Sequence, residues 1–186
     1  YAAGAYMDTK PDLAHMTEHA MFCTEKGAFD VMLKPYLEAS NAYTRDEHTT
    51  YYSTGIPLEH FPTVLAEEFE RMKSLSVSQE CFDYEKGRLD NELEHSESLM
   101  QNWTHQKRSL LFGSGYGGIP SPEQELALDD VVSFFDLWYQ PNRAAMVVVG
   151  SIGEDQWNEL ITQFEQLPNR NMVSFTPANS TIKTME

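Results

Sequence analysis

The chain has 186 residues, 41% hydrophobic and 23% charged, with 13 Lys plus Arg against 29 Asp plus Glu and a formal net charge of −16. That length fits one domain that can bury a core without covalent staples. The acidic balance argues against a nucleic-acid partner, which needs a basic face, and the longest apolar run, 144–149, is far too short to span a bilayer.

The opening Tyr1-Ala2-Ala3-Gly4 has no signal-peptide pattern, and the compartment stays open. Residues 13–23 are apolar-rich and follow Pro11 and Asp12, so a helix capped by Asp12 is expected there, with Gly27 beyond its end. A second helical stretch is expected around 30–38. Residues 41–53 are rich in Tyr and Thr and suit two strands with a turn near Arg45-Asp46-Glu47. The spans 58–75 and 80–109 read as long amphipathic helices, and the Gly- and Pro-rich 113–122 as a loop. Residues 126–139 read as a helix ending before Pro141, 144–149 as a buried strand, and 155–167 as a last helix. From Asn169 the chain is polar and linker-like. Short strands among many helices give an α+β class. Cys23 and Cys81 are too few for a disulfide scaffold and are expected as two buried thiols.

The chemistry concentrates in His15-Met16-Thr17-Glu18-His19. On a helix His15 and His19 share a face, and Glu18 borders it. Two imidazoles so placed suit zinc, with a carboxylate beside the water that zinc acidifies; the order is that of the inverted zincin motif. Catalytic zinc needs a third protein ligand. Glu85 and Glu92 lie two helical turns apart and share a face of the 80–109 helix, so a carboxylate there can complete the set. Glu94 and Glu97 are rotated away and read as solvated. Cys23, four past His19, is a rival ligand, weakened by its poor spacing from Cys81. His48, His60, His95 and His105 are isolated and read as surface or capping residues. Phe134, Phe135, Trp138 and Tyr139 read as core. The glycines at 113–118 lack the Lys-Ser/Thr of a phosphate loop.

The segment from Leu13 to Phe22 resembles the zinc motif of the inverzincin metallopeptidases, the pitrilysin, insulysin and mitochondrial processing peptidase family. Further blocks follow in family order: Asn41-Ala42-Tyr43-Thr44 with Thr50-Tyr51-Tyr52, then Glu85 to Leu93, then Tyr139 to Arg143 with Met146 to Gly150. The resemblance covers about residues 4 to 168. It implies an antiparallel sheet packed against several helices, one half of a two-half metallohydrolase whose first strands are missing here. It further implies zinc bound by His15, His19 and Glu92, with Glu18 as general base and Glu85 as a supporting acidic residue. Asn41, Ala42 and Tyr43 would form the edge strand on which a peptide substrate lies, a role open to any unpaired sheet edge. On this basis 1–168 is expected to be a catalytic domain, and 169–186 a tail toward a second, homologous half. That half would be a partner in binding substrate, in the same polypeptide or in another. Asp12 departs from the glycine usual before the motif, and Leu37-Glu38-Ala39 lacks the family's glycines. Neither change touches a ligand. The expected activity is zinc-dependent endoproteolysis. The rival is a non-catalytic peptide-binding or assembly subunit.

Overall fold

The computed structural model describes residues 1–96 and 125–167. At its centre is α1, Leu13–Ala20, whose Leu13, Ala14, Met16, Thr17 and Ala20 are almost wholly inaccessible. Although half its residues are polar, all but His15 are buried, so α1 is a core helix. It packs against α4 (Gln79–Ser96), α5 (Leu128–Trp138) and β3 (Ala39–Thr44). Phe82 and Leu89 of α4, Val131, Phe134 and Phe135 of α5, and Tyr139 close the core around it. The aromatic run read as core is therefore core.

The helix stops at Ala20 rather than at 23, because Cys23–Thr24 (β1) turns to pair with Gly27–Ala28 (β2). Next, α2 spans Phe29–Leu33 and not 30–38, since Pro35 has no N–H with which to continue the helical bonding. The expected strand pair forms as β3 with β4 (Thr49–Thr54), antiparallel, with Asn41 opposite Tyr52 and Thr44 opposite Thr49. Helix α3 spans Phe61–Lys73 with Pro at its start, where the missing N–H costs nothing. The last helix, α6, covers Glu154–Glu165. Among the described residues the sheets are two-stranded and antiparallel, which with the helices makes the α+β class. The 113–122 loop, His105 and the tail from 169 lie outside the described residues, as does the 80–109 helix beyond Ser96.

Residues 1–7 dock on the hairpin tip: Ala5 and Tyr6 donate backbone bonds to Arg45 and Asp46. Gly4 is needed there, because a Cβ would come within 2.4 Å of the Arg45 carbonyl. Tyr1 exchanges both backbone bonds with Thr49, and Ala2 donates to the Arg143 carbonyl.

Two expectations are corrected. Segment 144–149 is extended but joins no sheet among the described residues. Met146 and Val148 pack on Leu65, Phe69 and Leu160, while Val147 and Val149 are 82% and 92% exposed. An apolar run is buried on both faces only where neighbouring strands and layers cover it. Here a cavity of about 650 Å³ separates it from β4 and α3.

The cysteines are not free thiols either: Cys23 and Cys81 form a disulfide, which removes Cys23 as a metal ligand. It joins the exit of α1 to the first turn of α4 across 58 residues of sequence. Closing a loop of that length in the unfolded chain is worth about 4 kcal/mol in the chain-entropy account. The Cys23→Ser/Cys81→Ser variant should therefore melt on the order of 10 °C lower. Calorimetry of the oxidised parent and the variant checks this, and equal midpoints would show that the link constrains nothing.

Candidate metal and catalytic site

Helix α1 enters its site without the expected cap. Asp12 sits in left-handed backbone (φ 59°), and its side chain caps nothing. The buried Asp8 does so instead, its Oδ1 accepting from the Ala14 amide at 2.7 Å. Burial pushes the Asp8 carboxyl up to about 8, against the pull of the Ala14 and Leu13 amides and with the help of the Asp12 charge. A folded value above the unfolded one means stability is full below about pH 4 and falls as pH rises through 8. Asp8→Asn should abolish that share: parent minus variant stability should decline from about pH 4 to about 8, then level off. Thermal unfolding across that range tests it, and a constant difference would refute it.

His15, His19 and Glu92 converge. One donor atom from each lies within 4.8 Å of the others, with Glu92 Oε2 3.7 Å from His15 Nε2 and 3.5 Å from His19 Nε2. The two rings meet edge to face at 4.9 Å. Helical spacing puts the histidines one turn apart, and the roughly three-turn rise of α4 from the disulfide-anchored Cys81 carries Glu92 to them. Burial, assisted by His19 and opposed by Glu92, lowers His15 to about 4, so near neutral pH it is a free imidazole ready to donate its lone pair.

Glu85 lies behind His19. Its Oε2 is 3.0 Å from His19 Nδ1, and Arg88 holds both carboxylate oxygens at 3.2 Å. Burial would raise Glu85, but the His19 bond and Arg88 outweigh it and hold the carboxyl below its ordinary value. A carboxylate that accepts from Nδ1–H keeps the proton on that nitrogen and leaves Nε2 as the lone-pair donor, the usual outer support of a metal-bound histidine. The donor set of two imidazoles and a carboxylate fits zinc.

Glu18 lies on the same helix, 7% exposed, with Oε2 accepting from Thr44 Oγ1 at 2.5 Å. Burial raises its carboxyl, Thr44 and His19 lower it, and Glu92 adds to the rise. Asn41 and Tyr43 stand on the outer face of β3, and Ala42 on the inner. Beyond its pairing with β4, β3 has no strand beside it among the described residues, and Asn41 Oδ1 accepts the Ala42 amide at 2.9 Å. His48 meets Tyr43 edge to face, and His60 meets Tyr36 likewise, outside the cluster. The His95 side chain lies outside the described residues. The sequence reading missed Asp8, Thr44 and Arg88. Arg88 had a signal, lying three past Glu85 on one helix; the other two contacts are set by tertiary packing.

No family model matches the chain. Over 181 residues, 87% of the chain, it is 25% identical to insulin-degrading enzyme of Mus musculus. Over 193 residues, 91% of the chain, it is 28% identical to zinc protease PqqE of Helicobacter pylori. The chain spans only 18% and 41% of those relatives. In fold it is similar to the first half of the periplasmic protease PqqL from Escherichia coli, with a TM-score of 0.77 at 20% identity, covering 96% of this chain and 42% of that one. Similarity to insulin-degrading enzyme and to a zinc protease, a fold shared with part of the first half of PqqL and a helix carrying the inverted zincin motif are together consistent with the inverzincin metallopeptidases.

Proposed function

We propose that the chain is the zinc-binding half of a metalloendopeptidase that hydrolyses peptides or unfolded segments. The observation that carries the reading is the convergence of His15, His19 and Glu92 with Glu18 beside them on one buried helix. His15 Nε2, His19 Nε2 and a Glu92 oxygen would hold the ion. Zinc, when bound, supplies the Lewis acidity that brings a water's proton within reach of a carboxylate near neutral pH. Glu18 is the general base. Its Oε2 is occupied by Thr44, so Oε1 takes the proton and later returns it to the leaving amine. Glu85 keeps His19 in the tautomer that ligates. The substrate extends along β3, where its backbone would displace the Asn41 side chain from the Ala42 amide.

The proposal takes 1–168 as the catalytic domain and 169–186 as leading toward a second half. It is supported by the chain's spanning 42% of the first half of PqqL and 22% of PqqL itself. The second half would supply further substrate contacts. The disulfide also favours an oxidising compartment, where such links persist.

Cleavage of a quenched, unstructured peptide tests the reading, with the chain alone and mixed with the second half of its own or a related enzyme. Activity in either sample that a chelator removes and zinc restores is the expected result. Cleavage indifferent to the chelator, or a chain that binds no zinc, would sink it. Zinc binding with no cleavage in either sample would instead favour the peptide-binding subunit.

A further inference from the structure

We infer that the Cys23–Cys81 disulfide is a positioning element of the metal site: it sets the register of α4 on α1 and so holds Glu92 where the two histidines meet. The inference rests on the reading of His15, His19 and Glu92 as the zinc ligands and goes beyond it to what keeps them together.

Three cross-links join the two helices in sequence. Cys23 is bonded to Cys81, His19 Nδ1 meets Glu85 Oε2 at 3.0 Å, and Glu92 Oε2 reaches His19 and His15 at 3.5 and 3.7 Å. Residue numbers fall on α1 as they rise on α4, so the two run antiparallel. Positions 15, 19 and 23 follow one another at helical intervals, and 81, 85 and 92 lie on one stripe of α4. Cys23 lies just past the end of α1, where its pairing with Ala28 fixes its own backbone. The disulfide is therefore the end rung of the series that carries the metal ligands, and it is the covalent one.

The remaining anchors do not choose a register. Phe82 and Leu89 are buried in one cluster with Leu13, Met16 and Ala20 of α1, but apolar contact is non-directional. It holds two helices together while letting them slide. Glu92 is half-exposed and depends on where its helix lies. It stands eleven residues beyond Cys81, about 16 Å along the axis. Freeing that end lets α4 slide or pivot and moves the carboxylate with it, whereas metal sites tolerate only about 0.2 Å in ligand distance. Ligands fixed in advance also lose less binding energy to ordering.

The test is zinc affinity, by competition with a chromophoric chelator, well below every melting midpoint. Cys23→Ser/Cys81→Ser should bind zinc about tenfold more weakly than the oxidised parent, the scale of one ligand losing its preorganisation. Leu160→Ala opens a cavity in the separate cluster of Leu65, Phe69 and Leu167. It should lower the melting temperature yet leave zinc affinity unchanged. Glu92→Gln should cost less affinity in the serine background than in the parent, because the link acts through that ligand.

Melting with and without saturating zinc measures the same difference by a route that tolerates a poorly folded variant. Zinc should raise the parent's midpoint by more than the serine variant's. Equal affinities, or equal midpoint rises, would overturn the inference and leave the zinc reading intact. A loss in Leu160→Ala matching that of the serine variant would also overturn it, since zinc would then only follow stability. A parent that binds no zinc would defeat the metal reading itself, and the inference with it.

Discussion

Replacing Glu18 by Gln should lower peptide cleavage by about 10²–10⁴-fold, the span usual for loss of a general base. The substitution is nearly isosteric, and the new amide oxygen can still accept from Thr44. What it loses is basicity alone. Zinc content and unfolding temperature should therefore match the parent, a combination that neither a structural metal nor an assembly subunit would show. The measurement is kcat/KM on one peptide beside zinc stoichiometry, and unchanged cleavage would remove Glu18 from the chemistry.

Zinc affinity should rank the acidic residues around the ion. Glu85→Gln, which changes only what stands behind His19 Nδ1, should weaken zinc by about 10–100-fold. Glu92→Gln removes a ligand and should cost more than that, and His19→Ala should cost at least as much. Competition against a chromophoric chelator gives the three constants. Glu85→Gln losing more zinc than Glu92→Gln would reverse their assignments. In that case Glu85 would be the ligand and Glu92, with its half-exposed side chain, an acidic neighbour.

That His15 and His19 pair on one face, and Glu85 and Glu92 on another, was legible in the sequence because helical periodicity determines it. Positions 15 and 19 share a face wherever the helix lies, and 85 and 92 share one on theirs. Which of the two glutamates meets the histidines is a matter of how α4 docks, and spacing alone left that open; the family resemblance pointed to Glu92, and the convergence at 4.8 Å agrees. The hairpin was legible for the same local reason, as alternation in a Tyr- and Thr-rich stretch. Long-range pairings were not. Asp8 caps from six residues upstream while Asp12, in the usual place, turns away into left-handed backbone. Thr44 reaches Glu18 across 26 residues, and Cys23 finds Cys81 across 58. None of these partners leaves a periodic trace. The run at 144–149 misled for a related reason, since its composition suits a covered strand whatever stands beside it.

The Cys23–Cys81 link also decides what a backbone cut would do. The covalent ring it closes contains β2, α2, both strands of the β3–β4 hairpin and α3, whereas His15, Glu18 and His19 precede it and Glu85 and Glu92 follow it. A nick anywhere between residues 24 and 80 opens the ring without separating anything. The arm bearing the histidines and the arm bearing the distal glutamates stay tethered at the junction where they meet. An unpaired strand edge is where another protein's backbone can lie, a protease's included, and this chain would come through one such cut in a single piece.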